Sequence, residues 1–155
     1  MKSGRIVKGT LAPYGALARR GVVDGDGPIC QYRHSGRVRH LIWLGDSLEN
    51  VRGVPSAVRD RVGFALYVAQ EGGAHASAKP LRGLGSGVME IAARDESGAY
   101  RAVYTVSIGA AIYVLHAFQK KSKRGIATPK AEIELVRKRL RLLQEEVRDG
   151  ASEVD

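Results

Sequence analysis

Three strand-length segments lie almost end to end in the second half of the chain: GSGVMEIAAR (85–94), AYRAVYTVSI (99–108) and AAIYVLHAFQ (110–119). Each is rich in β-branched and aromatic side chains, and DESG (95–98) between the first two is a turn of hairpin length. Links this short leave little freedom in strand order, so an antiparallel meander is the simplest topology. The segment after the third strand constrains the fold further. Beyond a basic loop, Thr128 can cap a helix whose first position is Pro129, with Glu132 in the turn where the helix dipole favours an acid. Ile133, Val136, Leu140, Leu143 and Val147 then recur on one side of that helix, while the other side is mostly charged.

Upstream, RHLIWLG (39–45) reads as a short apolar strand. Asp46, with Glu49 three residues on, suits a helix start for DSLENVRG. Pro55 opens a second helix in which Val58, Val62, Ala65, Leu66 and Ala69 share one face, and Gly72 and Gly73 end it. The expected order is β-α-α-β-β-β-α: a small α+β domain with a mostly antiparallel sheet and helices on one face. This places a domain at 39–148 and a disordered tail at 149–155. Residues 1–38 hold seven glycines and two prolines with no sustained period, so they read as a flexible basic arm with no core of its own.

The charge balance narrows the choice of partner. Lys plus Arg number 25 against 16 acids, a net charge of +9, which favours polyanions such as nucleic acid or the ribosome. Much of this charge is clustered: 120–141 contains nine basic residues and two acids, Glu132 and Glu134. A solvated helix face is the plain alternative for such a run. The single Cys30 cannot form an internal disulfide, no His/Cys spacing resembles a zinc site, and no stretch reaches signal-peptide or membrane-helix length. The expectation is a cytoplasmic protein with no metal, no cofactor and no membrane partner.

Most enzyme templates fail. GLGSG (83–87) lacks a following GK[ST] and precedes a strand rather than a helix, so it reads as a turn. Glu132 and Glu134 lie on a helix flank with no partner acid implied, which leaves hydrolase readings weak. The coherent constellation is basic: Lys79, Arg82, Arg101, His116, Lys120, Lys121, Lys123 and Arg124, from loops and strand ends around one hairpin. Strand parity puts His116 with Ile112, Val114 and Phe118. It puts Arg101 on the opposite side from Tyr104, and a strand arginine reads either as a solvent-side residue or as the partner of an acid such as Glu90.

The ordered set AKPLRGLGSGVMEI, YRAVYTV, YVLHAFQKKS and TPKAEIELVRKR resembles the phage-related, HigB-like branch of the RelE/ParE toxins of type II toxin–antitoxin systems, over about residues 40–141. The resemblance implies a RelE-like β-α-α-β-β-β-α toxin that cuts messenger RNA, commonly at the ribosome, and is neutralised by a cognate helix-turn-helix antitoxin. Carried over by residue, it marks His116, Arg101 and Lys120 as catalytic. Lys79, Arg82, Tyr104, Lys121, Lys123 and Arg124 fall at RNA-binding positions. RelE itself carries lysines where this chain has Glu90 and Ala92, and a tyrosine in the final helix where this chain has none, so that mechanism does not transfer.

The expected activity is therefore a metal-independent endoribonuclease, an mRNA interferase. His116 would move the proton, since its reference pKa of ~6.5 suits neutral pH. Arg101 and Lys120 would stabilise the charged phosphorane. Two other classes fit the same fold: a ParE-like toxin acting on DNA gyrase without cleaving RNA, and a non-catalytic nucleic-acid-binding module.

Overall fold

A computed structural model describes residues 38–120 and 128–152. The elements are β1 (Leu41–Trp43), α1 (Ser47–Arg52), α2 (Ser56–Gln70), β2 (Ala78–Pro80), β3 (Val88–Asp95), β4 (Gly98–Thr105), β5 (Ile112–Lys120) and α3 (Lys130–Ser152). The expected arm, residues 1–38, lies outside the described residues apart from Val38. The α+β class and the mostly antiparallel sheet are as the sequence predicts.

The sheet order is β1-β5-β4-β3-β2. The three central strands form the expected meander, with Asp95 opposite Gly98 at the tight β3–β4 turn. β1 runs parallel to β5 on one edge. The other edge is β2, a strand that the sequence pattern does not reveal. It spans three residues and ends in Pro80, which has no backbone N–H to donate, so neither periodicity nor composition marks it.

The helices occupy both faces rather than one. Strand alternation provides the reason, because β3, β4 and β5 are apolar on both sides. Ile91, Ala93, Ala102, Tyr104, Ile112 and Val114 pack with Val51 of α1 and with Val58, Val62, Ala65, Leu66 and Ala69 of α2. On the opposite face Val88, Val103, Leu115 and Phe118 pack with Val136, Leu140 and Leu143 of α3. A sheet apolar on both faces has to be covered on both.

Two local expectations also change. Asp46 stands at the α1 N-cap position but makes no side-chain cap bond. Its carboxylate is drawn to Arg139 instead, at 2.6 Å. At the other end of the chain, α3 runs through Ser152, past the expected boundary at 148. Gly150 is not among the positive-φ glycines, so it does not supply the left-handed cap that stops a helix. Among the described residues no helix is long and apolar enough to cross a membrane.

Candidate functional site

The decisive local feature is a β-bulge in β5. Val103 pairs with His116 and Tyr104 with Val114, leaving Leu115 as the extra residue. A bulge reverses side-chain parity along a strand. Ile112 and Val114 therefore face α2, whereas His116 and Phe118 face α3. This corrects the expectation that His116 shares a face with Ile112 and Val114. Nothing in the residue types signals the bulge.

The bulge also leaves backbone acceptors beyond the short strand β1, and side chains cover them. Arg139 Nη1 donates to the Leu115 carbonyl at 2.8 Å, and Asn50 Nδ2 donates to that of Ala117 at 3.0 Å.

His116 is buried, 5% exposed, and both its ring nitrogens are engaged. Arg139 Nη1 lies 3.3 Å from Nδ1, and Glu132 Oε2 lies 2.5 Å from Nε2. A guanidinium can only donate, so Nδ1 must accept and the ring proton sits on Nε2, donated to Glu132. The same Arg139 reaches Asp46 Oδ1 through Nη2 at 2.6 Å. Burial pushes the Asp46 carboxyl upward, but the hydrogen bond and charge of Arg139 outweigh it and hold the group below its ordinary range. A continuous chain results: Asp46, Arg139, His116, Glu132. Three of its members are absent from the expected site. In the sequence Glu132 and Asp46 read as helix-end acids and Arg139 as part of a charged face. Only the packing of α3 on the sheet brings them to one histidine.

Arg101 and Lys120 lie on the same face as His116. Register sets Arg101 opposite Phe118 and Lys120 opposite Ala99, so Arg101 is the diagonal neighbour of both His116 and Lys120. The structure thus brings the three expected catalytic residues together on the β4–β5 ladder, with the Phe118 ring stacked on that of His116 at 5.3 Å between centroids. Arg101 is held: its Nε lies 2.7 Å from Oε1 of Glu90, a carboxylate that is 4% exposed. Thr128 donates to the other Glu90 oxygen at 3.1 Å.

Lys79 and Arg82 are exposed and line a cleft of about 740 Å³ whose wall also includes Pro80, Leu81, Glu90, Thr128 and Ile133. Both expected basic-loop residues therefore border the face that carries His116 and Arg101. Tyr104 does not. It is 1% exposed, packed in the core against α2 on the far side of the sheet, and burial pushes its hydroxyl pKa up. Tyr104 is therefore a core residue with no surface for RNA, because it differs from Arg101 by an odd number of positions in a regular strand. Lys121, Lys123 and Arg124 lie outside the described residues.

No curated protein matches the chain. A family model, the phage-derived Gp49-like proteins, matches residues 49–141, more than half of the chain, a span that includes His116, Glu132 and Arg139 but not Asp46. With that match, the chain belongs to the phage-derived Gp49-like family, a family of RelE/HigB-like toxin type generally linked to toxin–antitoxin systems.

Proposed function

We propose that the protein is the toxin of a type II toxin–antitoxin pair, a metal-independent endoribonuclease that cuts mRNA in the cytoplasm, with the ribosome as co-substrate and a helix-turn-helix antitoxin as partner. One observation carries the nuclease reading: a carboxylate–imidazole pair, Glu132 and His116, stands beside Arg101 and Lys120 on one sheet face. Transesterification of RNA needs a group that takes the 2′-hydroxyl proton and cations that hold the charged phosphorane.

The contacts of His116 favour a different residue as the one that takes the proton. With its Nε2–H hydrogen-bonded to the Glu132 carboxylate and its Nδ1 lone pair turned to Arg139, His116 acts as a positioning residue. Glu132, whose side chain is 31% exposed, is the proton acceptor. The 2′-oxygen then bonds to phosphorus and the bond from phosphorus to the 5′-oxygen breaks. The leaving oxygen takes a proton from the Lys120 ammonium, and Arg101 stabilises the phosphorane. Products are a 2′,3′-cyclic phosphate and a 5′-hydroxyl.

The test is cleavage by purified protein on translating ribosomes and on free RNA, with end-group analysis. A single 2′-deoxy substitution at the scissile nucleotide should abolish cutting and leave binding nearly intact, since phosphate contacts supply most of the affinity. Cutting that persists on the deoxy substrate overturns the mechanism. A second reading, a toxin directed at gyrase without nuclease activity, draws on the burial of His116 and the closure of Arg101 by Glu90. Full toxicity of a folded Glu132→Gln variant, together with inhibited supercoiling, would select it.

A further inference from the structure

The cleft beside the His116 face combines apolar walls, exposed cations and one carboxylate. Its volume lies in the range that small-molecule ligands occupy. Pro80, Leu81 and Ile133 give apolar walls on which a base can lie, Lys79 and Arg82 are exposed cations suited to the flanking phosphates, and Glu90 is the acid in the lining.

Glu90 decides which base fits. An ionised carboxylate offers about four lone-pair sites and no donor. Two are taken, one by Arg101 Nε and one by the Thr128 hydroxyl. Counting partners among the described residues, about two acceptor sites remain, one on each oxygen on average. Guanine is the common base whose Watson–Crick edge presents two adjacent donors, N1–H and the N2 amine. On the same edge cytosine and adenine set one amine beside a ring acceptor, and uracil sets one N–H between two carbonyls. Each of these three would turn an acceptor toward the carboxylate. The Arg101 partnership holds the Glu90 carboxylate in one orientation.

The geometry points to a guanine-reading subsite in this cleft, built by Glu90 and walled by Leu81 and Ile133, with Lys79 and Arg82 holding the adjoining phosphates. Its biological meaning rests on the nuclease reading above, where it would set the sequence preference for cutting.

The experiment titrates full-length protein with the 3′-monophosphates of guanosine, inosine, adenosine, cytidine and uridine, followed by calorimetry and amide chemical shifts. Guanosine monophosphate should bind at least about tenfold more tightly than the adenosine, cytidine and uridine nucleotides, as for a bidentate base contact. Inosine, which keeps N1–H but lacks the N2 amine, should fall between. Arg82→Ala should weaken all five by a similar factor and leave the order unchanged. Glu90→Gln should retain phosphate-dependent binding and lose the preference. If that variant unfolds, the guanosine–inosine comparison on the unaltered protein carries the test. Equal affinities for all bases, or a guanine preference that survives in folded Glu90→Gln, would overturn the inference. Guanine preference in a protein that cuts no RNA keeps the subsite and removes the nuclease. Cutting without guanine preference does the reverse.

Discussion

His116 Nε2 and Glu132 Oε2 meet at 2.5 Å across the junction between the last strand and the last helix. This contact fixes the first turn of α3 on the sheet and makes a partly solvated carboxylate the chemical partner of a buried ring. Glu132→Gln should fold, because the amide carbonyl can still accept from Nε2–H. It should lose about 10²–10⁴ in cleavage rate through loss of the proton acceptor. His116→Gln should show a smaller loss than Glu132→Gln if His116 only positions. Single-turnover cleavage rates alongside thermal melts check both.

Arg101 and Glu90 form a pair with 14% and 5% of their side chains exposed. Removing one member leaves the other charge buried, at a cost of about 3–5 kcal/mol. Arg101→Ala is therefore expected to melt well below the wild type, which makes it a poor probe of catalysis by itself. The double variant Arg101→Met, Glu90→Leu should recover most of that stability while remaining inactive. Urea unfolding of the two singles and the double gives the coupling energy, and additive losses would mean that the pair contributes nothing.

Leu140 and Val136 anchor α3 in the second core. Leu140→Ala should cost about 2–5 kcal/mol. Leu140→Asp should unfold the domain, since a buried unpaired charge costs a large share of the roughly 5–15 kcal/mol that holds a small domain together. A wild-type melting curve for Leu140→Asp would show that the helix is peripheral.

Gly45 sits at φ +55°, and a Cβ there would lie 2.6 Å from Arg139 Nη2. Gly45→Ala is therefore strained in its backbone and also displaces the guanidinium that bridges Asp46 and His116. The expected result is lower stability together with loss of the Asp46–Arg139 coupling in a double-mutant cycle. Gly72→Ala, at φ +90° with open space around it, should cost backbone strain alone.

Burial raises the Asp46 carboxyl, yet Arg139 more than offsets it, so the group titrates below its ordinary range when folded. A depressed carboxyl contributes stability that is present above its unfolded pKa of roughly 4 and is lost as pH falls through the lower folded value. Wild type and Asp46→Asn should thus differ at pH 6 and converge as pH falls below that folded value in urea titrations. The gap should be modest, since the Asp46 side chain is 54% exposed. A gap that widens on acidification would contradict the Arg139 assignment.

What the sequence determined by itself is the part governed by period and by local backbone chemistry. The meander followed from three apolar runs with a tetrapeptide turn. The apolar face of α2 followed from Val58, Val62, Ala65, Leu66 and Ala69, all of which are buried. The buried side of α3 followed from Val136, Leu140 and Leu143. The opposition of Arg101 and Tyr104 followed from strand alternation, and Glu90 was one acid within reach of Arg101, while the register that pairs the two belongs to the structure. Tertiary structure alone decided the rest, because a bulge and a helix docking angle have no local signature. The extra residue at Leu115 turned His116 from the side of Ile112 and Val114 to that of Phe118. The apolar second face of the sheet drew α3 across it, carrying Glu132 and Arg139 to the two nitrogens of one ring from positions 16 and 23 residues away.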